Sequence, residues 1–164
     1  MTKEKLIRLL TVGGVVILID QLTKLIIIAQ LSIREVIPVI PGFFNITHVR
    51  NAGGAFGLFA KQNEMFRVVV FLVISSIAVG FIVYLYKNIP KTHPMLANAL
   101  ALIFGGAIGN LIDRVRMGEV VDFLDCYIKN LHWPAYNIAD SAICIGVSIF
   151  IFHLVTKRMP EEVM

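Results

Sequence analysis

Asn110-Leu-Ile-Asp113-Arg114-Val-Arg-Met-Gly118-Glu-Val-Val-Asp122-Phe-Leu-Asp125, followed after a short run by Trp133-Pro134-Ala-Tyr136-Asn137-Ile-Ala-Asp140-Ser141, is the stretch whose reading decides this chain. It holds most of the acidic residues able to do chemistry, in a sequence otherwise built of apolar blocks. The β-branched pair Val120-Val121 puts Asp122 on a strand. Asp140 falls where a new apolar helix begins. The intervening loop is long enough to bring the two carboxylates face to face. Such a pair shares one proton and activates water.

The blocks around this stretch set the fold class. The 164 residues are 57% hydrophobic, with a mean hydropathy of +0.80, above the usual soluble range. The apolar residues come in long runs, which points to a membrane protein. The net charge of +4 reads as Lys and Arg at helix ends facing anionic lipid. No basic stripe with interleaved aromatics suggests nucleic acid. The four histidines are scattered, and no HExxH or CxxC supports a metal site. No GxSxG is present. Cys126 and Cys144 do not suggest a structural disulfide.

Four apolar segments are predicted to span: residues 9–31, 66–86, 95–112 and 138–155. They leave outer loops at 32–65 and 113–137, in a single domain over 1–164. The first run is too long for a signal h-region and is read as a retained helix. It carries Asp20 and Lys24 one turn apart. They read either as an intrahelical ion pair that makes each charge tolerable, or as Asp20 pointing into the bundle to support a polar site, with Lys24 as its partner. Pro38 and Pro41-Gly42 break the next stretch. Phe43 to Val49 and Val120 to Ile128 read as short strands able to pair into a small sheet on the membrane surface. Between them lies Arg50-Asn51-Ala-Gly53-Gly54-Ala-Phe56-Gly57, a flexible turn or a place of close chain approach. Gly105, Gly106 and Gly109 allow tight helix packing in lipid, where Asn98 and Asn110 need partners. Asp113-Arg114 closes the third segment and reads equally well as a surface salt bridge. Asp140, in the first turn of the fourth, at the least suits the helix dipole. The density of Lys and Arg in short stretches places both termini in the cytoplasm. The strands and the Asp pair then share the outer face.

Residues alone leave three functions open: a protease, a proton relay or transporter using Asp20, Lys24 and the later acids, and an assembly subunit without chemistry. The acids cluster at one end rather than at the midplane, which favours the protease.

Four linked motifs narrow this further. Asn51-Ala-Gly53-Gly54-Ala-Phe56-Gly57, Gly109-Asn110-Leu-Ile-Asp113-Arg114, Gly118-Glu-Val-Val-Asp122-Phe and Trp133-Pro134-Ala-Tyr136-Asn137-Ile-Ala-Asp140-Ser141 resemble, in order, the bacterial lipoprotein signal peptidases, or signal peptidase II. Asp20 and Lys24 belong to the likeness. Tyr136 stands where the family usually has Phe, and Cys126 where an aromatic is common. The resemblance implies a mainly α membrane protein, with four transmembrane helices and a small antiparallel β-cradle on the extracytoplasmic face of the bacterial inner membrane. It implies an aspartyl endopeptidase that cuts diacylglyceryl-prolipoproteins on the amino side of the lipidated cysteine, without metal or cofactor. Asp122 and Asp140 are then the catalytic pair. Asp20, Asn51, Gly54, Gly106, Asn110, Asp113, Arg114 and Asn137 fall on supporting and substrate-contacting positions, with membrane lipid as neighbour. Globomycin should bind, and one four-helix bundle with one site suffices as a monomer.

Overall fold

The computed structural model describes residues 1–53 and 63–156. Gly54 and the rest of the Gly-rich motif after Gly53 lie outside them.

Four long helices carry the fold: α1 (Lys3–Gln30), α2 (Glu64–Asn88), α3 (Pro94–Met117) and α4 (Ile138–Val155). All four are long and apolar enough to cross a membrane. The shortest, α4, has 18 residues and extends roughly 27 Å, close to the hydrocarbon thickness. Leu18, Ile26, Ile77, Phe81 and Phe152 are exposed, which in lipid carries no penalty.

The third helix is longer than its sequence suggests. It does not stop at Asp113-Arg114 but runs to Met117, where Gly118 takes φ +73° and its amide closes onto the Arg114 carbonyl. A left-handed residue at this position favours glycine. Pro94 sits at the first helical position, where its missing N–H costs nothing.

Contact between α3 and its neighbours is made by small residues. A Cβ on Gly105 would lie 2.7 Å from the Gly13 carbonyl oxygen of α1. One on Gly106 would strike the Ala139 carbonyl of α4, and one on Gly109 would lie 2.6 Å from Asp20 Oδ2. Close approach strengthens dispersion contacts where no hydrophobic effect operates between helices. It also brings the polar residues of three helices within hydrogen-bond reach of each other.

At one end lies a four-stranded antiparallel sheet in the order β1 (Val36–Ile40), β2 (Phe44–Asn51), β3 (Val120–Ile128), β4 (Leu131–His132). The pairing of β2 with β3 follows the sequence expectation. β1 is not marked by the sequence, where Pro38 reads as a breaker, yet proline is tolerated on an edge strand. β2 gains a bulge between Ile46 and Val49 that sets Val49 opposite Asp122. His48 in this bulge is buried, and its Nδ1 lies 2.9 Å from the Leu31 carbonyl just past α1. That contact ties the sheet to the bundle.

Candidate active site

The site is assembled where α1, α3 and α4 meet β2 and β3. Asn137 is its geometric centre. It is the N-cap of α4 and closes a capping box with Asp140: Asn137 Oδ1 accepts from the Asp140 amide at 2.9 Å, and Asp140 Oδ2 accepts from the Asn137 amide at 3.2 Å. Capping boxes satisfy amides that a helix start leaves free. With its oxygen committed to the cap, Asn137 must turn its NH2 towards the sheet. Nδ2 there donates to Asp122 Oδ1 at 2.8 Å and lies 3.2 Å from both Asn110 Oδ1 and the Val121 carbonyl. One amide thus joins the two carboxylates singled out by the sequence.

Each carboxylate has a second donor. Asp122 Oδ2 accepts from Asn51 Nδ2 at 2.9 Å. Asn51 is held by an Asx turn in which the Gly53 amide donates to its Oδ1 at 3.0 Å. Gly53 has φ +87° and lies so close to the Phe71 ring that a Cβ would overlap it. Asp140 Oδ1 accepts from Asn110 Nδ2 at 2.7 Å. Asp122 is buried, while Asp140 is half-buried. Burial pushes the Asp122 carboxyl up to about 6. Donation from Asn51 opposes that rise, the charge of Asp140 adds to it, and Asn137 and Lys24 oppose it more weakly.

Behind the pair lies a buried ionic cluster. Lys24 Nζ sits 2.9 Å from Asp20 Oδ2 and 2.9 Å from Asp113 Oδ2, and donates to Asn110 Oδ1 at 3.0 Å. The intrahelical pair is real, and Asp20 also points into the bundle: its Oδ1 accepts from the Ala139 amide in the first turn of α4 at 2.9 Å, where the helix dipole favours an anion. Asp113 is 1% exposed, which overturns the surface salt bridge with Arg114. Its Oδ2 instead accepts from the Val121 amide, beside Asp122, at 3.2 Å. Arg114 is half-buried; its guanidinium lies 5.7 Å over the Phe71 ring and reaches the Asn110 carbonyl at 3.4 Å. Asn98 is exposed and takes no part.

Two contributors escaped the sequence reading. Gln21 Nε2 donates to Asp113 Oδ1 at 2.9 Å and to the Gly109 carbonyl at 3.1 Å, and lies 3.2 Å from Asp20 Oδ2. The signal was present, since Gln21 adjoins Asp20 in an apolar helix and a polar side chain there needs partners. His48 gave no such signal within its strand.

An open cavity of about 520 Å3 leads to Asp140, lined by Cys126, Trp133, Tyr136, Ser141 and Cys144 among others. The arrangement therefore offers two bridged carboxylates, one buried and one facing an apolar cavity. Among the described residues no group of His, Cys, Asp and Glu is placed to hold a metal ion.

Known proteins are similar to this chain in sequence and in architecture. The family model described as signal peptidase (SPase) II matches residues 12–156. A lipoprotein signal peptidase of Desulforapulum autotrophicum is 48% identical over 161 residues, covering 98% of this chain and 99% of the relative. One of Syntrophus aciditrophicus is 47% identical over 161 residues, again covering 98% and 99%. A solved structure described as a bacterial membrane enzyme superposes with a TM-score of 0.80 at 36% identity, covering 92% of this chain and 88% of that one. Four membrane-crossing helices, a small sheet and a bridged carboxylate pair thus accompany a match over most of the chain: the protein is a multi-pass membrane hydrolase and belongs to the signal peptidase II family.

Proposed function

We propose that this protein is an aspartyl endopeptidase that removes signal peptides from prolipoproteins, cleaving on the amino side of the diacylglyceryl-modified cysteine, with Asp122 and Asp140 as its catalytic pair. The observation that carries the reading is the Asn137 bridge between these two carboxylates. The pair holds one proton, because two close carboxylates do not both ionise cheaply away from water. The ionised member takes a proton from water. The protonated member donates to the scissile carbonyl, and the hydroxide equivalent adds to its carbon. The pair then returns a proton to the leaving amine as the C–N bond breaks. Asn110 and Arg114 stand beside the pair to hold substrate carbonyls or the developing oxyanion. The substrate's acyl chains stay in the bilayer while the peptide reaches Asp140 from the cavity side.

The membrane is the bacterial inner membrane, with both termini cytoplasmic. Lys5 Nζ donates to the Lys87 carbonyl at 2.9 Å and Lys91 pairs with Glu4 at 2.7 Å. These contacts gather the basic ends of α1, α2 and α3 at the end opposite the sheet, which supports a positive cytoplasmic face. The sheet and the carboxylate pair then face outward. One copy carries every described site residue, which supports a monomer as the active unit.

The test is cleavage of a prolipoprotein by the purified protein in detergent, with and without diacylglycerol on its cysteine. Cleavage of only the lipidated form, at the bond before that cysteine and blocked by globomycin, is expected. Equal cleavage of both forms would overturn the substrate assignment.

A further inference from the structure

We infer that Lys24 is a positioning residue for the carboxylate pair, acting through the side-chain amide of Asn110; the inference rests on the proposed catalytic role of that pair. A charged amine buried in a membrane-spanning helix is costly. Two carboxylates, Asp20 and Asp113, already neutralise it. Its third hydrogen goes to a neutral amide, Asn110 Oδ1, at 3.0 Å, which charge balance does not require.

An ammonium only donates. Lys24 therefore forces the oxygen of Asn110 to face it and the NH2 group to face the other way. That NH2 donates to Asp140 Oδ1 at 2.7 Å. The same Asn110 oxygen lies 3.2 Å from Asn137 Nδ2, which also donates to Asp122 at 2.8 Å. One ammonium thus sets the polarity of Asn110 and, together with the helix cap, supports that of Asn137, while Asn51 is held separately by its Asx turn. Without it, Asp20 and Asp113 become competing acceptors for the Asn110 NH2. A flipped Asn110 would turn its oxygen towards Asp140, converting attraction into repulsion. The charged groups facing this centre are Asp20 from α1, Asp113 and Arg114 from α3, Asp122 from β3 and Asp140 from α4.

The experiment compares Lys24→Met with Lys24→Gln in the prolipoprotein cleavage assay, with thermal stability measured on both. Met removes donor and charge; Gln keeps a donor for Asn110 Oδ1 but no charge. Positioning predicts a fall in kcat of about 30-fold or more for Met with KM within about threefold, and recovery by Gln to within roughly tenfold of wild type, as suits the loss and return of one charge-assisted contact. Lys24 also holds the Asp122 carboxyl down, so the alkaline limb of the kcat/KM profile moves to higher pH in both variants. Full activity in Met, or equal losses in Met and Gln with an unmoved pH profile, would overturn the role. If Lys24→Met does not fold, the Lys24→Met/Asp113→Asn double variant removes a buried pair rather than one partner, and Lys24→Gln/Asp113→Asn serves as its comparison. A wild type that fails to cleave would overturn the proposed function instead, so the two failures are distinct.

Discussion

Asn137 donates to Asp122 across 2.8 Å from a helix cap whose oxygen is already bound to the Asp140 amide. The relationship fixes the carboxylate pair with local helix-start chemistry rather than with a separate scaffold. Asn137→Ser keeps a capping oxygen but removes the NH2. It should fold close to wild type and lose about 10- to 100-fold in kcat, the value of one hydrogen bond to a charged group. Asn137→Ala loses the cap as well and should cost about 1 kcal/mol more in stability. Parallel kinetics and thermal unfolding separate the two roles.

Packing at Gly106 makes a second prediction. A methyl there meets the Ala139 carbonyl and lies 2.7 Å from Ile143 Cγ1. Gly106→Ala should separate α3 from α4, cost roughly 1–3 kcal/mol as overpacking, and break the Asn110–Asp140 contact. Gly14→Ala meets nothing within 4 Å and should leave both stability and activity unchanged. Similar losses in the two variants would argue against close α3–α4 packing as the cause.

The pH dependence follows from Asp122, raised from 3.8 to about 6. With Asp122 as the protonated member of the proposed pair, kcat/KM should fall as pH rises through about 6. For stability, a folded-state value above the unfolded one favours the protonated fold. That contribution is complete below the unfolded value and is lost as pH rises through about 6. Asn51→Ala removes the hydrogen bond that opposes the rise, so its alkaline limb should move to higher pH. A shift to lower pH would contradict the placement of Asn51.

Much of this was legible in the sequence. The four helices follow from long apolar runs, and the β2–β3 pairing from short β-branched segments. Asn137 and Asp140 lie at capping-box spacing, which is a local signal. Long-range geometry was not legible. Asp113 looked like half of a surface dipeptide because its partner, Lys24, lies on another helix and is reached only through helix packing. β1 was obscured by Pro38, whose tolerance depends on its being an edge strand. Gln21 joins the site through Gly109 and Asp113, contacts that exist only once α1 and α3 are in register.

The catalytic role of Asp122 and Asp140 is tested by single-turnover cleavage of a lipidated prolipoprotein by purified wild type, Asp122→Asn and Asp140→Asn, each checked for wild-type thermal stability. A catalytic pair predicts cleavage by wild type and a loss of about 10^3-fold or more in both variants, the scale seen when a member of a catalytic unit is removed. Turnover near the wild-type rate in either folded variant would contradict it.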